Sequence, residues 1–238
     1  MVIKCFWEHN GDDTLLYSTD FPGAYARGKS LEAARSKMTQ EICSYLSWCE
    51  QECCEKDFEV VIAEKKSSEL NICDADSDAI FLTETMPMRQ GEYERLKALA
   101  LKSASDFLRL YNCVPDKDKS CLAERKTFYG AVPRTAKEMY EHTKNVNSYY
   151  FGEIGINADN GGDILSCRRR GFELSECKSD YLGGEVFAGS WGESWSLKKV
   201  LRRFIWHDRI HAKAMYRMAI KTFGKDSVPD IFCFGSIN

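Results

Sequence analysis

Two of the four histidines in this chain lie four residues apart, in the stretch FIWHDRIH at residues 204–211. In an α-helix, side chains at this spacing lie on one face and one turn apart. His207 and His211 can therefore direct two imidazole nitrogens at a common point, as zinc and related divalent ions require. Two ligands alone hold a metal ion weakly, so the metal hypothesis needs a third donor from another part of the chain.

His142 is the candidate for the third donor. It lies inside a second predicted helix, which starts after Pro133 and opens with the capping-box pattern of Thr135 and Glu138. The alternative is that each histidine is an ordinary core or surface side chain, since short motifs of this kind also arise by chance. On the residues alone, both interpretations stay open.

The stretch HDRIH also invites comparison with the HExxH signature of zinc proteases. Asp208 stands where the protease glutamate would act as a base, and its side chain is one methylene shorter. None of the residues after His211 is a histidine or a glutamate, so no downstream third ligand is present. The sequence therefore does not favour a protease.

The first part of the chain shows the pattern of strands around one helix. Asn10-Gly11 joins the β-rich runs VIKCFWEH and TLLYSTDF, which is a strong hairpin signal. A short third strand follows DFPG, Ser30 precedes the helical stretch LEAARSKMTQEICSYLSWC, and FEVVIAEK is a fourth strand. We predict a small β-β-β-α-β domain over residues 1–85, with a further edge strand at AIFLTE.

Long helical patterns replace the strands after Pro87. Three stretches have clear helical periodicity, and the glycine-rich residues 156–193 are predicted to contain a shorter helix near DYLGGEVFA. The three are RQGEYERLKALALKSASDFLRLYN, AKEMYEHTKNVNSYYF and LKKVLRRFIWHDRIHAKAMYRMAIKTF. We predict an all-α four-helix bundle over residues 86–238, and an α+β chain overall.

Composition excludes several classes of function. The formal net charge of −3 does not suit a protein that holds nucleic acid by bulk charge. No apolar run approaches the roughly 20 residues that a membrane crossing needs. The 11 cysteines are odd in number and come without an export signal, so we expect reduced thiols and a cytoplasmic protein. The cluster of Cys49, Cys53 and Cys54 lacks a second pair and is expected to be incidental.

The first domain resembles the HicB-like family in the stretch DFPGAYARGKSLEAA at residues 20–34. These residues form a turn, a short strand, a glycine corner and a capped helix, and none of them is a catalytic group. The resemblance implies a module for protein or ligand contact. A homodimer formed through the edge strand of this module is a further hypothesis.

The second domain resembles the DinB-like (YfiT-like) family of metal-binding four-helix bundles. The resemblance rests on MYEHTKNVNSYY and LRRFIWHDRIHAKAMYRM, and it implies that His142, His207 and His211 are metal ligands. It also implies transfer of a small thiol such as bacillithiol, mycothiol or glutathione onto an electrophile, or a related hydrolysis. The metal is then zinc, nickel, cobalt or iron.

The residues around the ligands leave two functions open. Glu138 is a candidate base, or a hydrogen-bond acceptor for the His142 imidazole N–H, and its capping role is an equal alternative. Asp208 is expected to form a surface ion pair, and Arg203 to be a solvated cation rather than a substrate anchor. Phe204 and Trp206 are expected in the core, and His9 at the surface. The enzyme hypothesis competes with a non-catalytic metal-binding protein that carries a HicB-like interaction module.

Overall fold

The computed structural model describes residues 1–53, 58–127 and 129–235. The chain divides into two compact units, which are Met1–Phe81 with Phe232–Asn238, and Leu82–Ile231. The first unit contains a four-stranded sheet and the second is mainly helical. The predicted α+β class is confirmed at this level, and the HicB-like and DinB-like assignments stay predictions.

The first unit is a sheet with one covering helix. The strand order is β3-β2-β1-β4, in which β1 and β4 are parallel and the other pairs are antiparallel. The elements are β1 (Val2–Asn10), β2 (Asp13–Ser18), β3 (Tyr25–Gly28), α1 (Leu31–Trp48) and β4 (Glu59–Ser67). Gly11 has a φ of 56° in the predicted hairpin turn, a conformation that favours glycine. The predicted strand at AIFLTE is wrong, because its second half forms the 3-10 helix Leu82–Thr85.

One cysteine pair departs from the expected reduced thiols. Cys43 in α1 is joined to Cys53 by a disulfide, with a Cα–Cα distance of 5.3 Å. The chain reverses direction at Glu50, which has a φ of 59°, and the Gln51 amide donates back to the Leu46 carbonyl. This reversal returns the chain to α1 and brings Cys53 beside Cys43. Cys54, which belongs to the predicted cysteine cluster, lies outside the described residues.

Four long helices form the second unit. They are α2 (Gln90–Cys113), α3 (Ala136–Gly152), α4 (Ile164–Glu176) and α5 (Leu197–Phe223). Both α5 and α4 contact α2 and α3. Short strand pairs accompany them, namely β5 (Lys126–Thr127) with β6 (Gly130–Ala131), and β7 (Phe187–Ala188) with β8 (Ser194–Trp195). Among the described residues, none of the helices has both the length and the hydropathy needed to span a membrane.

The position predicted for the shorter helix is wrong. The helix α4 begins after Asp163, whose carboxylate accepts from the Ser166 amide, whereas the segment DYLGGEVFA lies in turns and β7. Gly171 sits inside α4 because a Cβ there would lie 2.1 Å from the Phe151 ring. The close approach of α3 and α4 therefore requires glycine at this position.

Candidate metal centre

Two well-anchored helices hold the three histidines. The Thr135 hydroxyl accepts from the Glu138 amide at 3.1 Å, and the Glu138 carboxylate accepts from the Thr135 amide at 3.0 Å. This capping box, which the sequence predicted, fixes the start of α3, the helix that carries His142. The N-terminus of α5 is capped by the Ser196 hydroxyl, which accepts from the Lys199 amide at 3.2 Å.

The three histidines converge on one point between α3 and α5. The Nε2 atoms of His207 and His211 lie 3.2 Å apart. The ring centroid of His142 lies 5.2 Å from that of His207 and 4.6 Å from that of His211. One ligand nitrogen from each of the three residues lies within 4.8 Å of the other two. The group could bind a metal ion, as the sequence predicted.

The separation of the two α5 nitrogens suits a small divalent ion. A tetrahedral ion with metal–nitrogen bonds of about 2.05 Å holds two of its nitrogens about 3.3 Å apart. The observed 3.2 Å between His207 and His211 is close to this value. The same contact can instead be a hydrogen bond between neutral rings if one of the two nitrogens carries a proton. Metal binding and this hydrogen bond are the two physical explanations of the geometry.

Burial favours the neutral form of two of these imidazoles. His207 is only 9% exposed, and its pKa is lowered well below the ordinary value by burial, then by His211, His142 and Arg203. Burial also lowers the pKa of His142. The Nδ1 atom of His207 makes no hydrogen bond to the described residues. Neutral rings present the lone pair that a metal needs.

Aromatic side chains flank the histidines on two sides. Tyr129, in the turn of the β5–β6 hairpin, stacks on His142 with ring centroids 6.1 Å apart. Tyr150 meets His207 edge-to-face at 6.0 Å. Sequence reasoning missed Tyr129, because a residue in a short hairpin turn carries no periodic signal that connects it to a helix.

Asp208 is not at the surface, and its predicted surface ion pair is wrong. It is fully buried, and its Oδ2 atom accepts hydrogen bonds from the Arg168 guanidinium and the Ser103 hydroxyl. The Arg168 guanidinium also lies 4.0 Å above the Phe204 ring. The Asp208 side chain points away from His207 and contacts α2 and α4 instead of water, because these helices cover that face of α5.

Arg203 is also buried, so the prediction of a solvated cation is wrong. Its side chain is 8% exposed, and its guanidinium carbon lies 4.8 Å from the Trp206 ring and 5.4 Å from the Tyr150 ring. Phe204 and Trp206 are buried, as predicted. His9 lies on β1 of the first unit, where it is half-buried and stacks on Trp7 at 4.3 Å.

Capping contacts at the start of α3 fix the position of the Glu138 carboxylate. Its Oε2 atom accepts from the backbone amides of Arg134 at 2.9 Å and Thr135 at 3.0 Å. These two hydrogen bonds lower the pKa of its carboxyl group. The contacts described for this carboxylate are those of a helix cap, and its catalytic role stays a prediction.

Comparisons of the chain with protein-family models, curated proteins and solved structures found no match. The site therefore has to be interpreted from its own geometry. That geometry gives a group of three histidines that could hold one metal ion.

Proposed function

We propose that the chain is a metal-dependent enzyme of the DinB-like type, which transfers a small thiol to an electrophile or hydrolyses a related substrate. His142, His207 and His211 hold a divalent transition metal in this proposal. The convergence of their three ligand nitrogens within 4.8 Å is the observation that carries it.

The number and type of donors favour a reactive site over a structural one. Structural zinc sites are usually closed by four protein ligands, whereas catalytic sites have three and leave a position for water or substrate. Imidazole suits zinc, nickel, cobalt and ferrous iron, so the donors select this group of metals rather than one member. Such an ion, when bound, supplies positive charge that favours the deprotonated form of a thiol or water at the site.

The chain's own residues hold and shield the reacting groups. Burial lowers the pKa of His142 and of His207, which favours their neutral forms, and Tyr150 packs edge-to-face against His207. In the transfer, a bond forms between the thiol sulfur and the electrophilic carbon, and the bond from that carbon to its leaving group breaks. The thiol proton passes to solvent, and the leaving group departs with the electron pair.

One observation favours a second candidate, a metal-binding protein without catalysis. The ligand group found among the described residues contains three histidines and no carboxylate. Glu138, the base suggested by the sequence, is engaged by the backbone at the start of α3. A transfer that needs only a metal-stabilised thiol does not require a protein base, whereas a hydrolysis usually does.

Turnover with small thiols separates the two candidates. The full chain is loaded with zinc or cobalt and mixed with chlorodinitrobenzene or bromobimane and each of several thiols. We expect metal-dependent conjugation with at least one thiol, lost in His207→Ala and retained in His9→Ala, which removes a histidine from the first unit. Full metal occupancy with no conjugation above the uncatalysed rate for any thiol would favour the binding protein.

A further inference from the structure

A cavity that none of the three histidines lines lies at the start of α5. It has a volume of about 510 Å³, open mouth included, and lies between Leu197 and the segments that follow α3 and α4. Leu197 precedes His207 by ten residues, which is about 15 Å along the helix axis. Sites for small molecules have volumes of about 300–1,000 Å³, so this α5 cavity suits a small ligand.

Buried apolar side chains form one wall of the α5 cavity. Met88, Ile154, Ile156 and Leu197 line it, and each of them is 8% exposed or less. An aliphatic group that covers this wall releases water from it. Each methylene buried in this way adds about fourfold to affinity.

Two charged side chains of the lining are already paired within the protein. Glu84 is buried and accepts from the Arg202 guanidinium, with 3.0 Å between Oε2 and Nη2. Lys198 forms an ion pair with Glu92 on α2. These two side chains are therefore not the ones that select a charged ligand.

Three further charged side chains line the mouth of the α5 cavity, and they carry both signs. Lys178, Asp180 and Glu185 are exposed, and none of them forms an ion pair with the described residues. The Lys178 ammonium donates to the Ile154 carbonyl at 3.3 Å, which places it beside the apolar wall. An ammonium group has three hydrogens to donate, so this contact leaves Lys178 able to bind an anion.

We propose that the α5 cavity binds a free α-amino acid with an aliphatic side chain about the size of leucine. Lys178 pairs with its carboxylate, Asp180 and Glu185 pair with its ammonium group, and the apolar wall covers its side chain. A fatty acid or a simple amine would leave one sign of charge at the mouth without a partner. The inference does not rest on the proposed function, because the histidine centre lies outside the cavity.

Isothermal titration calorimetry of the full chain without added metal tests this ligand class. The ligands are leucine, alanine, leucinamide and 4-methylpentanoate, the last two of which lack the carboxylate and the ammonium group of leucine. At about pH 6.5 the amines are charged. We expect leucine to bind about 10-fold tighter or more than alanine, because alanine leaves the apolar wall uncovered.

The two charge-deleted ligands test the mouth. We expect each to bind about threefold weaker than leucine or more, the size typical of ion pairs near solvent. No saturable binding of leucine up to about 10 mM, or equal affinities of leucine and alanine, would overturn the proposal. Equal affinities of leucine and either charge-deleted ligand would also overturn it.

Variants of the exposed mouth residues assign the two charges without disturbing the core. Lys178→Gln should abolish the preference for leucine over leucinamide and keep the preference over 4-methylpentanoate. The double variant Asp180→Asn with Glu185→Gln should do the reverse. Lys225→Gln is the matched control, because it removes an exposed lysine outside the cavity and should change neither preference. Unchanged preferences in both mouth variants would contradict the assignment.

The variant His207→Ala separates this site from the metal centre. It should bind leucine as the native chain does, even though it is expected to lose the metal. Loss of leucine binding in a folded His207→Ala would place the ligand at the histidines and overturn the assignment to the α5 cavity. Failure of the native chain to bind metal, with leucine still bound, would refute only the proposed function.

Discussion

Two neighbouring clusters on α5 contain buried polar groups, and they differ in whether opposite charges are paired. Around Asp208, one carboxylate oxygen accepts from the Arg168 guanidinium and from the Ser103 hydroxyl, so opposite charges are paired within the protein. The other carboxylate oxygen and the Nε and Nη2 atoms of Arg168 make no hydrogen bond to the described residues. Around His207, two like nitrogens face one another at 3.2 Å. The Nδ1 atom of His207 makes no hydrogen bond to the described residues.

The difference separates a structural cluster from a binding site. Breaking a buried ion pair destabilises a fold, whereas buried ligand nitrogens that converge on one point suit a bound metal ion. This contrast predicts that the Asp208 cluster determines the stability of the helical unit. It also predicts that the histidine centre determines metal binding, and the variants of Arg168 and His207 below test the two sides of the contrast.

The largest expected effect follows from breaking the Asp208 cluster. Arg168→Met leaves the Asp208 carboxylate buried without its cationic partner, which typically costs about 3–5 kcal/mol. Urea unfolding followed by far-ultraviolet circular dichroism measures the loss. In the double variant Arg168→Met with Asp208→Leu, most of the stability should return, because no buried charge remains. A loss below about 1 kcal/mol in the single variant would mean that the pair is not structural.

A second buried carboxyl group, that of Glu8 in the first unit, should make stability depend on pH. Glu8 is fully buried and accepts hydrogen bonds from the Ser77 hydroxyl at 2.5 Å and the Asp78 amide at 3.3 Å, neither of which is cationic. Burial raises its pKa from 4.5 to about 7. The folded state therefore favours the protonated form, and this contribution is complete below pH 4.5 and is lost as the pH rises through about 7.

Glu8→Gln tests this pH dependence. In the native chain, the Glu8 contribution lowers the free energy of unfolding by about 3 kcal/mol across that range of pH. Glutamine has nearly the same shape and no titrating proton, so the variant should lack this part of the slope. Urea unfolding at several pH values measures both proteins, and identical slopes would show that Glu8 is not held protonated.

The smallest effect concerns the start of α3. Thr135→Ala removes the N-cap hydroxyl and should cost about 1 kcal/mol of stability.

Glu138→Gln keeps a side-chain oxygen for the Thr135 amide, so thiol conjugation should stay within about twofold of the native rate, whereas loss of a general base costs about 100-fold or more. A fall of that size with normal stability would assign Glu138 to catalysis instead of capping.

Helical spacing predicted which residues share one face of a helix, and this was sufficient to predict that the histidines lie together. His207 and His211 follow the four-residue rule, and His142 lies inside the only other helix with a histidine. The capping box at Thr135 and the Asn10-Gly11 hairpin were predicted for the same reason, because each depends on residues close together in the chain.

Spacing did not predict what covers the other faces of a helix. Asp208 and Arg203 were expected near solvent, yet both are buried because neighbouring elements cover α5 beyond the histidine face. The role of Arg168 depends on a carboxylate 40 residues further along the chain. Such contacts between distant residues leave no local pattern in a sequence.

Metal content tests the central claim most directly. The native chain, the variant His207→Ala and the control His9→Ala are each incubated with zinc, dialysed and measured by elemental analysis. We expect one zinc ion per chain in the native protein and in His9→Ala, and almost none in His207→Ala. No zinc in the native protein, or an equal amount in His207→Ala, would contradict a metal centre at these three histidines.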